Sequence, residues 1–212
     1  MKHLLLIALL AAFISSCGTF GPKPQTVYHR KDLKTKVSKL IVFPVTDFQG
    51  RQSAGAKKLD VSVSSAWAEL YGKEKVVPGG AVLYKLIQAT GKDSYKKLIS
   101  SLDNISAVEQ LHKNPKVRKF ISKVTKKFGN YHFALAIENG GPKYYKDGKP
   151  VLLHIGLFDS KNMTWKWITK IKDQKGTLSF GGYDGASMGM VSNSFDLIEK
   201  LEEGARTPAS KK

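Results

Sequence analysis

Five histidines, one cysteine and a crowd of lysines are the side chains with which this chain could do chemistry. His3, His29, His112, His132 and His154 stand apart, with no His-x-x-x-His, Glu-x-x-His or paired-cysteine spacing among them. Metal sites draw three or four such ligands from short, regular spacings, so neither a metal nor another cofactor is expected. His132 and His154 could meet only across strands, and a structural role accounts for each. Residues 181–187 (GGYDGAS) precede a helical pattern and could cradle an anion on backbone amides. They match neither the dinucleotide nor the phosphate-loop pattern, which leaves a flexible connection as the plain reading. No Gly-x-Ser-x-Gly turn is present, so no nucleophile is nominated and the chain reads as non-enzymatic. The lysines are the functional-looking set. Lys116, Arg118, Lys119, Lys123, Lys126 and Lys127 crowd into a dozen positions, with Lys92, Lys96 and Lys97 upstream. Such a set fits docking on anionic head groups or wall polymer, each near-surface lysine adding about 1 kcal/mol at an acidic bilayer. It equally fits a solvated helix face that keeps the protein soluble.

Charge and compartment narrow the partners. Lys and Arg total 35 against 17 Asp and Glu, a net +18 that attracts polyanions in general. Residues 1–16 have the anatomy of a secretion signal: basic Lys2, an apolar run over 4–14, then Ser15 and Ser16. That run is well short of the ~20 apolar residues of a spanning helix. The segment Ile14-Ser15-Ser16-Cys17 resembles the lipobox of bacterial lipoproteins: an aliphatic residue, two small residues and the cysteine that is acylated. The resemblance implies cleavage before Cys17, lipidation of its sulfur and a mature chain of +17. Two or three acyl chains anchor a protein stably, and Cys17 is the chain's only cysteine, so no internal disulfide can form. Gly18 in place of Asp implies, by the sorting rule of enteric bacteria, an outer-membrane address facing the periplasm. Export removes nucleic acid as a partner, leaving the membrane, an envelope protein or peptidoglycan.

The elements that must position these residues follow from period and punctuation. Residues 17–37, with Pro22, Pro24 and few apolar side chains, read as a lipidated cysteine and flexible tether, whose stretch 19–36 reaches at most about 60 Å. A globular domain over 38–203 is expected, followed by a polar tail over 204–212. Residues 38–45 form a near-continuous apolar run, the pattern of a buried strand; 46–58 read as a loop and 59–70 as a helix stopped by Gly72. A short strand at 75–78, a helix over 79–89 and a helical region over 94–128 follow. The clearest helix is Pro115–Phe128: Asn114 suits its cap, proline its first turn and Gly129 its exit. Val117, Phe120, Ile121, Val124 and Phe128 make one apolar stripe on it. Strands are expected at 131–138, 151–158 and 163–171, the last two as an antiparallel hairpin with Met163, Trp165, Trp167 and Ile171 on one face. A final helix covers 187–203. The fold class is therefore α/β: one domain, a mixed central sheet with helices packed on it, and a C-terminal antiparallel hairpin plus final helix.

Three segments carry a wider resemblance. Residues 39–48 (KLIVFPVTDF) are similar to the opening strand of the family that includes curli-secretion lipoproteins, penicillin-binding-protein activator lipoproteins and the N-terminal domain of TolB. Residues 129–135 (GNYHFAL) are similar to its central strand, and Leu157-Phe158-Asp159 with Thr164-Trp165-Lys166-Trp167 to its aspartate-turn hairpin. Membership would imply a non-enzymatic, membrane-tethered binding or assembly module for a protein partner or cell-wall polymer; the alternative is a subunit of an oligomeric outer-membrane secretion or transport assembly, which would make the chain a homo-oligomer. The amphipathic hairpins of a curli-type pore have no counterpart here.

Overall fold

In the computed structural model, residues 22–31, 37–129, 132–175 and 181–206 are described. Six strands form one sheet: β1 (Gln25–His29), β2 (Leu40–Val42), β3 (Val76–Pro78), β4 (His132–Asn139), β5 (Val151–Asp159) and β6 (Thr164–Asp173). Their spatial order is β1-β6-β5-β4-β2-β3. β2 is parallel to β3 and β4, while β4–β5, β5–β6 and β1–β6 are antiparallel. The α/β class with a mixed sheet and a C-terminal hairpin is as expected.

Alternation along the strands sends side chains to two cores. Leu40, Val42, Ala134 and Ala136 face α1 (Ala54–Tyr71) and α7 (Gly182–Arg206), which contribute Leu59, Val63, Trp67, Met190 and Ile198. Ile41, Phe133, Leu135 and Ile137 face the opposite layer: α2 (Gly80–Leu86), α3 (Lys92–Ser100), α4 (Ile105–Val108) and α5 (Pro115–Phe128). The short α6 (Gly141–Lys146) sits in the β4–β5 connection.

Local chemistry sets the helix ends. Asn114 Oδ1 accepts from the backbone N–H of Lys116 and Val117, Pro115 occupies the first turn, and Gly129 leaves at φ 93, each as expected. α1 begins earlier than its apolar pattern, because Ser53 Oγ caps Ala56 N at 3.0 Å and starts the helix within the expected loop. α2 and α3 join through a π-helical turn at Ile87–Gly91. A Cβ on Gly91 would collide with the Phe120 ring, so glycine there lets α5 close onto that turn.

Two expectations are corrected. Residues 25–29 lie in the expected tether, yet they pair with β6 as an edge strand, Gln25 opposite Lys170 and His29 opposite Trp167. The tryptophans of β6 do not share a face. The β5–β6 register shifts between Leu157, opposite Trp167, and Phe158, opposite Trp165, leaving Lys166 as an inserted residue. One extra residue reverses the alternation, so Trp165 joins the α2–α5 core and Trp167 the α1–α7 core.

Candidate functional site: a basic helical face and an acidic groove

Burial of Val117, Phe120, Ile121 and Val124 turns the charged side of α5 outward. Lys116, Arg118, Lys119, Lys126 and Lys127 are exposed and Lys123 is half-buried. Lys116, Lys119 and Lys123 line one wall of a groove of about 480 Å³ against the start of α3, where Lys92 faces them across Gly91 and Phe120. Arg118, Lys126 and Lys127 lie outside this groove, as do Lys96 and Lys97. Among the described residues none of the six makes an ion pair with a carboxylate. The whole layer is biased: residues 79–129 hold eleven Lys and Arg against three Asp and Glu.

The opposite layer has the opposite sign. α1 and α7 together carry seven acidic residues against four basic ones. Between them runs a groove of about 480 Å³ lined by Glu69, Asp196, Glu199, Glu202 and Glu203 with Leu70, Val191 and Phe195. Met188 stands 63% exposed on its edge. Glu202 is tied inward: its carboxylate accepts from Lys166 Nζ at 2.9 and 2.8 Å and from Trp167 Nε1 at 2.8 Å. The sequence reading missed this groove, whose walls lie more than a hundred positions apart. The run of carboxylates in the final helix was its one local signal.

The histidines do not converge. Register puts His132 opposite Asp159 and His154 opposite Ile137, at separate places along the β4–β5 ladder. His132 Nε2 lies 3.8 Å from Asp159 Oδ2, and burial holds its pKa below the ordinary value. His154 is fully buried, with Phe48 edge-on to its ring and Nε2 3.2 Å from Asp103 Oδ1. Burial pulls its pKa down to about 4. His29 in β1 is also lowered by burial, and His112 is exposed. Among the described residues no group of three or more His, Cys, Asp and Glu could hold a metal.

A crevice of about 330 Å³ opens at the carboxyl ends of β2 and β3, where the chain departs to opposite faces of the sheet. Ligands favour such a position in open α/β sheets. Asp60 on its wall accepts from the Val45 N–H and from Gln52 Nε2, and burial pushes its pKa up to about 6. The other polar side chains there are Ser64 and Ser65; no His, Cys or Lys lines it. Asp60 thus latches the segment after β2 onto α1, and no basic side chain lines the crevice beside it. The glycine-rich connection has a similar structural use. Gly181 and Gly182 take positive φ and start α7 so that the Tyr183 hydroxyl donates to Glu138; residues 176–180 lie outside the described residues.

Cys17 and Gly18 also lie outside the described residues. Pro22, five positions after Cys17, is held: its carbonyl accepts from Asn193 Nδ2 of α7 at 3.1 Å. Among the described residues no helix is long and apolar enough to cross a membrane.

No protein-family model matches this sequence and no curated protein matches it. Two solved structures of the PelC dodecamer from Paraburkholderia phytofirmans are similar. One, of a point variant, is 10% identical with a TM-score of 0.45, covering 82% of this chain and 97% of that one. The other is 10% identical with a TM-score of 0.43, covering 88% and 99%. Likeness at this level assigns neither a function nor an assembly state.

Proposed function

We propose that the chain is a non-catalytic envelope lipoprotein, hung by acylated Cys17 from the periplasmic side of the outer membrane. Its α5 face binds an anionic partner there, either wall polymer or an acidic protein surface. The observation that carries this reading is the segregation of charge: the basic layer around the α3–α5 groove is an exposed cationic surface, while the carboxylates gather on the other side of the sheet. A merely solubilising charge needs no such division. The lipobox at 14–17 and the likeness of residues 39–48, 129–135 and 157–167 to the curli-secretion, activator-lipoprotein and TolB family support the same class. The test is co-sedimentation with purified sacculi across a salt series. Salt-sensitive retention that disappears in Lys116→Glu/Lys119→Glu/Lys123→Glu is expected; retention indifferent to those changes would refute a wall-polymer role. Fatty-acid labelling of wild type against Cys17→Ala tests the anchor.

The acidic groove favours a second reading, a subunit of a homo-oligomeric secretion or transport assembly. A basic surface on one face and an acidic groove on the other suit head-to-tail contact between copies, which closes into rings or extends into filaments. Native mass measurement at low and high salt decides it. A salt-sensitive oligomer dispersed by Glu199→Lys/Glu203→Lys supports the assembly; a monomer throughout rejects it.

A further inference from the structure

The chain enters the fold at a defined end of the sheet. Pro22 is bound to Asn193, and Gln25 lies opposite Lys170 near the exit of β6. The β4–β5 connection with α6 lies at the same end, joined to the β6 exit by Gln174 Nε2 donating to the Gly148 carbonyl at 2.9 Å and Lys175 Nζ to that of Lys146. Five residues from Cys17 to Pro22 span at most about 18 Å. An acylated Cys17 therefore keeps this end near the head groups, where a free tether to residue 37 would have favoured no face.

The surface presented there suits such a neighbour. Lys143, Lys146, Lys149, Lys172 and Lys175 are all exposed, with Asp147 as the exposed acid among them. Tyr144 is 48% exposed, and Lys149 Nζ lies 5.3 Å from its ring centroid. Tyrosine prefers the interfacial zone of a bilayer, its ring among acyl carbons and its hydroxyl among head groups. Lysines around it attract an anionic leaflet over about a Debye length.

We propose that this sheet end, Tyr144 with the exposed lysines of the α6 turn and the β6 exit, is a second attachment to an anionic bilayer, so that the domain stands end-on and both helical faces point sideways. The inference rests on the acylation of Cys17. It assigns membrane contact to the α6 turn and leaves the α5 face and the α1–α7 groove free for partners.

The mature acylated protein, reconstituted into phosphatidylcholine vesicles with and without phosphatidylglycerol, tests it. Fluorophores are placed by Asp147→Cys or, as a control, Lys126→Cys, and quenched by lipids carrying a nitroxide at the head group. Phosphatidylglycerol-dependent quenching at 147 and little at 126 is expected, with the 147 signal lost in Lys143→Gln/Lys146→Gln/Lys149→Gln. Three near-surface lysines correspond to roughly a hundredfold in the end-on equilibrium. Circular dichroism of the triple variant confirms that it is folded. Vesicle-bound protein with 147 unquenched, or with 126 quenched as strongly, overturns this inference alone. Protein that carries no fatty acid overturns the envelope reading and takes this inference with it.

Discussion

Removing the Glu202 carboxylate breaks a charged contact that the fold keeps almost wholly from water. Lys166 is 3% exposed and Glu202 5% exposed, with both carboxylate oxygens on the ammonium and one also on Trp167 Nε1. Two buried ions repay much of their desolvation through each other, so deleting one partner costs about 3–5 kcal/mol, while replacing an ion pair with apolar groups of similar size is often near neutral. Glu202→Ala should therefore lower stability by about that amount. At roughly 2–4 °C per kcal/mol for a domain of this size, Tm falls by about 6–20 °C. Glu202→Gln keeps an acceptor for Trp167 and should lose less than alanine by about 1 kcal/mol, the net worth of one hydrogen bond. Lys166→Met combined with Glu202→Leu should recover the part due to the unpaired ammonium, while Trp167 Nε1, left without its acceptor, retains a cost of about 1–3 kcal/mol. Urea titrations of wild type, Lys166→Met, Glu202→Leu and the double variant yield the coupling energy directly. A loss below about 1 kcal/mol for Glu202→Ala, or a double variant no more stable than the worse single, would refute this reasoning.

Burial holds His154 at a pKa of about 4 against an ordinary 6.5, so the unfolded chain takes up the proton first as pH falls. Its contribution is complete above pH 6.5 and shrinks toward pH 4 by about 3 kcal/mol; His154→Gln should flatten that slope in pH-dependent urea titrations, and an unchanged slope would contradict it. Asp60 acts in the opposite sense: with its pKa raised to about 6, the folded state binds the proton more tightly, and stability falls as pH rises from about 4 to 6. Asp60→Asn should remove that decline while His154 is left intact, as read by Tm across the same window. Gly156→Ala would put a Cβ 2.6 Å from Trp165 Cζ3 and 2.7 Å from Leu102 Cδ2. Overpacking of that kind costs about 1–3 kcal/mol, and a Tm equal to wild type would show that the ring can move aside.

What could be read from sequence was what local rules determine. α5 was legible in full because Asn114, Pro115, the apolar stripe and Gly129 all act within one helix length. The exposed basic face followed from the same periodicity. β1 was hidden because a five-residue edge strand preceded by Pro22 and Pro24 buries little and gains its partner only from the last strand. The opposed placement of Trp165 and Trp167 was hidden because a strict period of two has no room for the inserted Lys166. The buried partner of Lys166 was equally out of reach of a local pattern, its carboxylate being 36 positions away in another element. The acidic groove depends on how α1 and α7 meet, which no local pattern encodes.

Tension applied to residue 22 along the strand axis meets the β1–β6 rungs, from Gln25 to His29, side by side. Hydrogen bonds sheared together share the load, whereas bonds peeled from one end fail in turn. The force then passes into β6 and, through Trp167 and Lys166, to the far part of α7. A domain dragged by its N-terminus thus moves as a single mechanical body, with its first strand serving as a clamp and not as a ripcord.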